Sequence, residues 1–193
     1  MLEAAQDARR TVHDVTHAKG GRLTIGTVEG LPAFLELPAL LAQFHDIYPL
    51  VEVRLIQGGT VHLLDELRAG LIDLALLPVI DPAEGIATTM IACEDLVVIC
   101  APSHPLVTSG TVTLATIGVF TFVDFQPDWG TRRLMDDAFR SVGIERKTAF
   151  EVSDLNTPFE LVTRGLGIAL VPESAARNYG PAVVCRPLNS PDV

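Results

Sequence analysis

The chain has 193 residues, enough for one large domain or two small lobes, and 48% of them are hydrophobic, which excludes intrinsic disorder. Its net charge of −10 gives a surface that repels nucleic-acid phosphates, so this chain alone is not expected to bind DNA. No apolar run reaches the roughly 20 residues that span a bilayer, and the polar N-terminus does not read as a signal peptide, so no membrane partner and a cytoplasmic location are expected.

In chain order, Leu2 to Lys19 read as a polar helix with a thin stripe of Ala5, Ala8, Val12 and Val15. Gly20-Gly21 ends it, and Arg22-Leu-Thr-Ile-Gly-Thr-Val is a strand. After Glu29-Gly30 comes a helical stretch, Leu31 to Tyr48, in which Pro38 belongs to the first turn or a kink. Val51-Glu-Val-Arg-Leu-Ile alternates like a strand with one solvated face. Gly58-Gly59 make a tight turn, Thr60 is the expected N-cap, and Val61, Leu64, Leu67 and Leu71 form the apolar face of a helix stopped by Gly70. Leu71 to Leu77 read as a strand buried on both faces. This β-α-β-α-β order makes a parallel sheet whose corners should be neighbours.

A second set follows. Leu96 to Cys100 is a strand, Pro102-Ser-His-Pro105 a turn, Thr113 to Gly118 a short helical turn, and Phe120 to Val123 a strand. Asp124 to Gly130 is a loop, Thr131 to Val142 a helix, Thr148 to Val152 a strand, and Thr157 to Arg164 a helix opened by Pro158. Ile168 to Val171 is a strand and Pro172 to Asn178 a short helix. The pattern predicts an α/β protein of two lobes with two crossings between them.

Open α/β sheets bind ligands at the carboxyl ends of their strands. Gly59 and Thr60 lie at one such corner, and Gly30 and Leu31 at the matching one. Phe125, Gln126 and Trp129, after a second-set strand, read equally as a hydrophobic plug or as the opposing jaw of a pocket. Asn156 is a polar group at another strand-helix corner. Glu29 is an oddity: facing the cleft, it disfavours an anionic ligand, and facing solvent, it is neutral.

The chemical motifs favour plainer readings. His13 and His17 have the spacing of a zinc helix, but Asp14 replaces the usual Glu and no third ligand is evident. Ser103-His104 lacks a nucleophile elbow and an orienting acid. Gly165-Leu-Gly167 lacks the third glycine of a dinucleotide fingerprint. Cys93, Cys100 and Cys185 fit neither a disulfide framework nor a zinc ribbon. No constellation of nucleophile, base and orienting group appears, so no catalytic residue, metal or cofactor is expected.

Taken in order, Gly21-Arg-Leu-Thr-Ile-Gly26, Leu37-Pro38 with Phe44 and Tyr48-Pro49, Leu67-Arg-Ala-Gly70 with Ile72-Asp73-Leu-Ala75, Glu94-Asp-Leu96, Ser103-His-Pro-Leu106 and Gly165-Leu-Gly-Ile-Ala-Leu-Val-Pro172 resemble the effector-binding domain of LysR-type transcriptional regulators. The resemblance implies two Rossmann-like lobes joined by a hinge, similar to type 2 periplasmic binding proteins. It implies a small-molecule effector between the lobes, a homodimer or homotetramer, and DNA contact only through a winged helix-turn-helix that this chain lacks. Residues 1–20 become a remnant of the linker helix, 21–91 with 172–193 the first lobe, and 92–171 the second, with hinges near Ala92-Cys93 and Val171-Pro172. The chain reads as a fragment lacking the family's last strand and helix. Gly30, Leu31, Gly59 and Thr60 should then face Phe125, Gln126, Trp129 and Asn156. The expected ligand has a polar or carboxylate end at the helix starts and an apolar body on the aromatics. The alternative is a freestanding solute-binding protein of the same fold.

Overall fold

A computed structural model describes residues 20–28, 31, 35–78 and 84–189. The helix expected over Leu2–Lys19, its two histidines, and the corner residues Glu29 and Gly30 lie outside the described residues.

The first lobe contains β1 (Gly21–Thr27), α1 (Leu37–Ile47), β2 (Val51–Gln57), α2 (Thr60–Arg68) and β3 (Leu74–Leu76). Its strands are parallel in the order β2-β1-β3, with Leu23 beside Val53 and Ile25 between Leu55 and Leu74. Pro38 sits in the first turn of α1, where a missing N–H costs nothing. Asp73, the one charge in an apolar run, bonds to the neighbouring strand. Its carboxylate accepts the Thr24 N–H at 2.7 Å, while its own N–H donates to the Thr24 carbonyl at 2.9 Å.

Two expectations are corrected in this lobe. The buried stripe of α2 is Thr60 and Leu63, with Leu64 and Leu67 half-buried, whereas Val61 and Leu71 are exposed. The same helical spacing fits a stripe shifted by one residue, and contacts made by Thr60 decide between the two. Leu71 and Leu74 are also exposed, so the third strand is not covered on both faces among the described residues.

The second lobe contains β4 (Leu96–Cys100), α3 (Leu114–Ile117), β5 (Thr121–Phe125), α4 (Gly130–Ser141), β6 (Lys147–Val152), α5 (Thr157–Thr163), β7 (Ala169–Pro172), α6 (Glu173–Asn178) and β8 (Val184–Pro187). β5 and β6 are parallel, and β4 lies antiparallel between β7 and β8. A bridge between Phe122 and Ile168 ties the two groups together. Every residue of β4 is buried because both of its faces are covered. Leu96, Val98 and Cys100 pack with Phe122, Met135 and Phe139, while Val97 and Ile99 pack with Phe125, Trp129 and Phe159.

Of residues 172–193, expected in the first lobe, the described ones up to Asn189 run with the second lobe instead. Cys100 pairs with Val184 and Ile99 with Cys185, so the chain after β7 returns to the second lobe's sheet. Arg186 holds it there. Its guanidinium donates to the carbonyls of Leu106, Val107, Ser109 and Gly110 at 2.5–3.0 Å, stapling β8 to the turn after β4. Val171-Pro172 is therefore the end of a paired strand and not a crossing.

Candidate functional site

The corner after β2 is built by close approach. Gly58 N–H extends the ladder to the Thr27 carbonyl at 3.2 Å. Gly59 has φ −67° and ψ 154°, ordinary extended backbone, so the turn itself does not demand glycine. Space does: a Cβ on Gly59 would collide with the carboxylate of Asp128 from the second lobe. Gly130 is constrained in the same way, since a Cβ there would stand 2.5 Å from the Pro78 carbonyl and 3.1 Å from Thr60 Oγ1.

Thr60 is not the N-cap. Gly59 holds that position without a side-chain bond, and Thr60 is the first helical residue, 4% exposed. Its Oγ1 accepts the N–H of Gly130 at 3.1 Å, and Val61 N–H donates toward the Asp128 carbonyl at 3.5 Å. The first N–H groups of any helix lack intrahelical partners. Here α4 receives an acceptor from the first lobe, and α2 receives one from the second. The two helix starts thus cap one another across the gap between the lobes.

A charge network behind the loop fixes its position. Asp124, 1% exposed, accepts from Arg146 Nε at 2.7 Å and from the Thr148 hydroxyl at 2.9 Å. Arg146 also reaches Asp136 at 2.6 Å. Arg132 binds Asp136, Glu151 and the Phe125 carbonyl, the last at 2.8 Å, and so ties the end of β5 to α4. A cavity of about 520 Å³ beside Arg132, Phe139 and Arg146 lies over this network and not at the corner. Its buried cations are already paired with carboxylates.

The structure brings Gly59 and Thr60 against the Asp124–Gly130 loop, but through Asp128 and Gly130. Phe125 and Trp129 stack on each other at 4.8 Å and belong to the core, 2% and 8% exposed. They form a floor under the loop and not an open jaw. Gln126 is exposed, with its N–H bonded to the Val152 carbonyl. Asn156 is exposed at the start of α5, where Asp154 accepts its N–H and the Tyr179 hydroxyl meets its carbonyl at 3.5 Å. Leu31 is half-buried. Pro78, Asp128 and Gly130 were not legible from the sequence. Pro127-Asp128-Trp129-Gly130 reads only as a turn, and its partner lies some seventy positions earlier.

Ser103-His104 has a local explanation. His104 Nδ1 accepts the Leu106 N–H at 3.2 Å, opening a 3₁₀ turn, and its ring meets Phe120 edge-on at 4.6 Å. Burial pushes the imidazole pKa down, which suits the neutral acceptor form. Cys100 is buried with its thiol pKa raised by burial, as a core residue. No grouping of three or more potential metal ligands occurs among the described residues.

Comparison with known proteins agrees with this architecture. The LysR substrate binding domain family matches residues 16–193. A probable nitrogen assimilation transcriptional activator of Synechococcus elongatus is 29% identical over 80% of this chain and 52% of its own length. The transcriptional dual regulator GltC of Bacillus subtilis is 29% identical over 100% of this chain and 64% of its own. The chain therefore spans between about half and two thirds of these relatives. The effector binding domain of QuiR, solved with shikimate, superposes with a TM-score of 0.76 at 23% identity, covering 89% of this chain and 82% of that one. The CcmR regulatory domain of Synechocystis, solved with 2-PG, gives 0.75 at 20% identity, covering 88% and 81%. With the α/β lobes, the ordered motifs and a match over nearly the whole length in agreement, the chain belongs to the LysR substrate binding domain family.

Proposed function

We propose that this chain is the effector-sensing part of a LysR-type transcriptional regulator. A small metabolite binds between the lobes, near Gly59, Thr60 and the Gln126–Gly130 loop, and changes the angle between them. The observation that carries this reading is the reciprocal capping of α2 and α4, two contacts that join the lobes at the corner and that a ligand seated there would have to engage or replace. A ligand acts on such a junction only by binding one arrangement better than the other. The two solved neighbours that hold shikimate and 2-PG support a small-molecule ligand for this fold.

The proposal extends to the parent protein. The relatives are named as transcriptional regulators, which supports a sensory and non-catalytic role. DNA contact belongs to a part of the regulator outside this chain, and rigid rotation of the lobes passes the signal on. A homodimer through α1 and α4, beside β2, supplies the frame that converts lobe angle into spacing. Supporting it, α1 buries no residue within the described chain, and Leu40, Ile47 and Leu55 stand exposed. A cytoplasmic location follows from the same role.

Native mass spectrometry of the purified chain, followed by calorimetry with the ligand it retains, tests the reading. Binding that weakens in Thr60→Val supports it. A ligand seated outside the gap between the lobes contradicts it.

A further inference from the structure

We infer that Asp128 is the charge-selecting residue of this site, and that the effector presents to the α2–α4 corner a neutral or cationic hydrogen-bond donor, not an anion. The inference rests on the effector-site reading above. The start of α2 is where an anionic group would otherwise be drawn, because free N–H groups and the helix dipole both favour negative charge there. In this chain a carboxylate already stands beside that place. The carboxylate of Asp128 lies in the space a side chain on Gly59 would fill, directly against the last residue before α2. Its backbone is fixed there too, since its carbonyl meets Val61 N–H and Gly130 N–H, two residues on, donates to Thr60.

No ion pair or hydrogen bond to the Asp128 carboxylate occurs among the described residues, whereas Asp124, Asp136 and Glu151 in the same lobe are all held by arginine. A second carboxylate brought to this corner meets the Asp128 carboxylate at near contact, a repulsion that weakens binding at least about tenfold in a partly desolvated gap. An ammonium, amide or hydroxyl finds an open acceptor instead. The glycine at position 59 keeps that acceptor against the helix start, because any larger residue would displace it.

Asp128→Asn and, as a second variant, Asp128→Ser remove the charge while leaving both backbone contacts. Neither breaks a side-chain bond among the described residues, so both are expected to unfold at the temperature of the native chain. The probes are sulfate and methylammonium, titrated at low ionic strength while following the amide signals of Gly59, Thr60, Val61 and Gly130. The native chain is expected to bind methylammonium at this corner and to bind sulfate at least about tenfold more weakly than either variant. Equal sulfate affinity in native chain and variants overturns the inference. A retained effector with its anionic group beside Asp128 also overturns it while leaving the sensing role intact. A retained effector bound outside the gap defeats the sensing role, a result separate from the sulfate comparison.

Discussion

Thr60 and Gly130 show how much one hydroxyl does when it serves a distant helix. Replacing Thr60 by Val keeps the shape but leaves the Gly130 N–H without its acceptor at 3.1 Å. The expected cost is about 1–3 kcal/mol to the capped arrangement, seen as a lower urea midpoint and a wider separation of labels placed on the two lobes. An unchanged separation would mean that the hydroxyl does not hold the lobes. Asp124 tests a different physics. It is buried with Arg146, whose side chain is only 6% exposed, so removing the arginine leaves the buried carboxylate with the Thr148 hydroxyl and an Arg132 nitrogen 3.9 Å away. Arg146→Ala is expected to destabilise the chain by about 3–5 kcal/mol. Arg140→Ala, which removes an exposed pair with Asp137, should change stability by less than about 1 kcal/mol in the same denaturation series. If the two variants unfold alike, the network does not anchor the loop.

At the scale of elements, local chemistry was largely legible in the sequence. Pro38 and Pro158 mark helix starts where the structure has them, and the short turn expected over Thr113 to Gly118 holds α3. The strand over Leu96–Cys100 follows from an unbroken apolar run. What failed depended on distant partners. Thr60 looks like a cap by its neighbours but is drawn into the helix face by Gly130. β8 is too short and mixed to stand out, and it becomes a strand of the second lobe by pairing with β4, with Arg186 reaching four carbonyls beside it. The start of α5 gives a pH test. Burial opposes ionisation of Asp154, but bonds from the Thr157 hydroxyl and the N–H groups of Thr157 and Asn156 outweigh it and lower its pKa. A lowered folded pKa stabilises the chain above the ordinary aspartate value of about 3.9, and that contribution is lost as pH falls through the lower folded value. The stability gap between native chain and Asp154→Asn, read from urea midpoints, should therefore be full at neutral pH and shrink below about pH 4. A gap that stays constant would show that the carboxylate does not cap α5.

For the whole molecule, the fold class and the ordered motifs were readable because they are set by periodicity and glycine position along the chain. The contacts at the corner were not. The residues facing Gly59 and Thr60 are Asp128 and Gly130, chosen by how two lobes meet, and no local pattern encodes that meeting. The net charge of −10 bears on function directly. This chain alone should give no sequence-specific mobility shift with duplex DNA at physiological salt, and a shift would show a recognition surface on the domain itself. If the exposed leucines of α1 and β2 meet a second copy, the interface should bury more than about 1,000 Å² and sedimentation at high concentration should show a dimer. A monomer at every concentration would remove that face from the proposed signalling route. The sensing role itself depends on where a ligand binds. The most direct measurement is the location, by amide shift perturbation or by a structure of the complex, of whatever small molecule the purified chain retains. Contact at Gly59–Val61 and at Asp128–Gly130 together, with a changed angle between the lobes, is the expected result. A ligand that touches only one lobe, or leaves that angle unchanged, would contradict it.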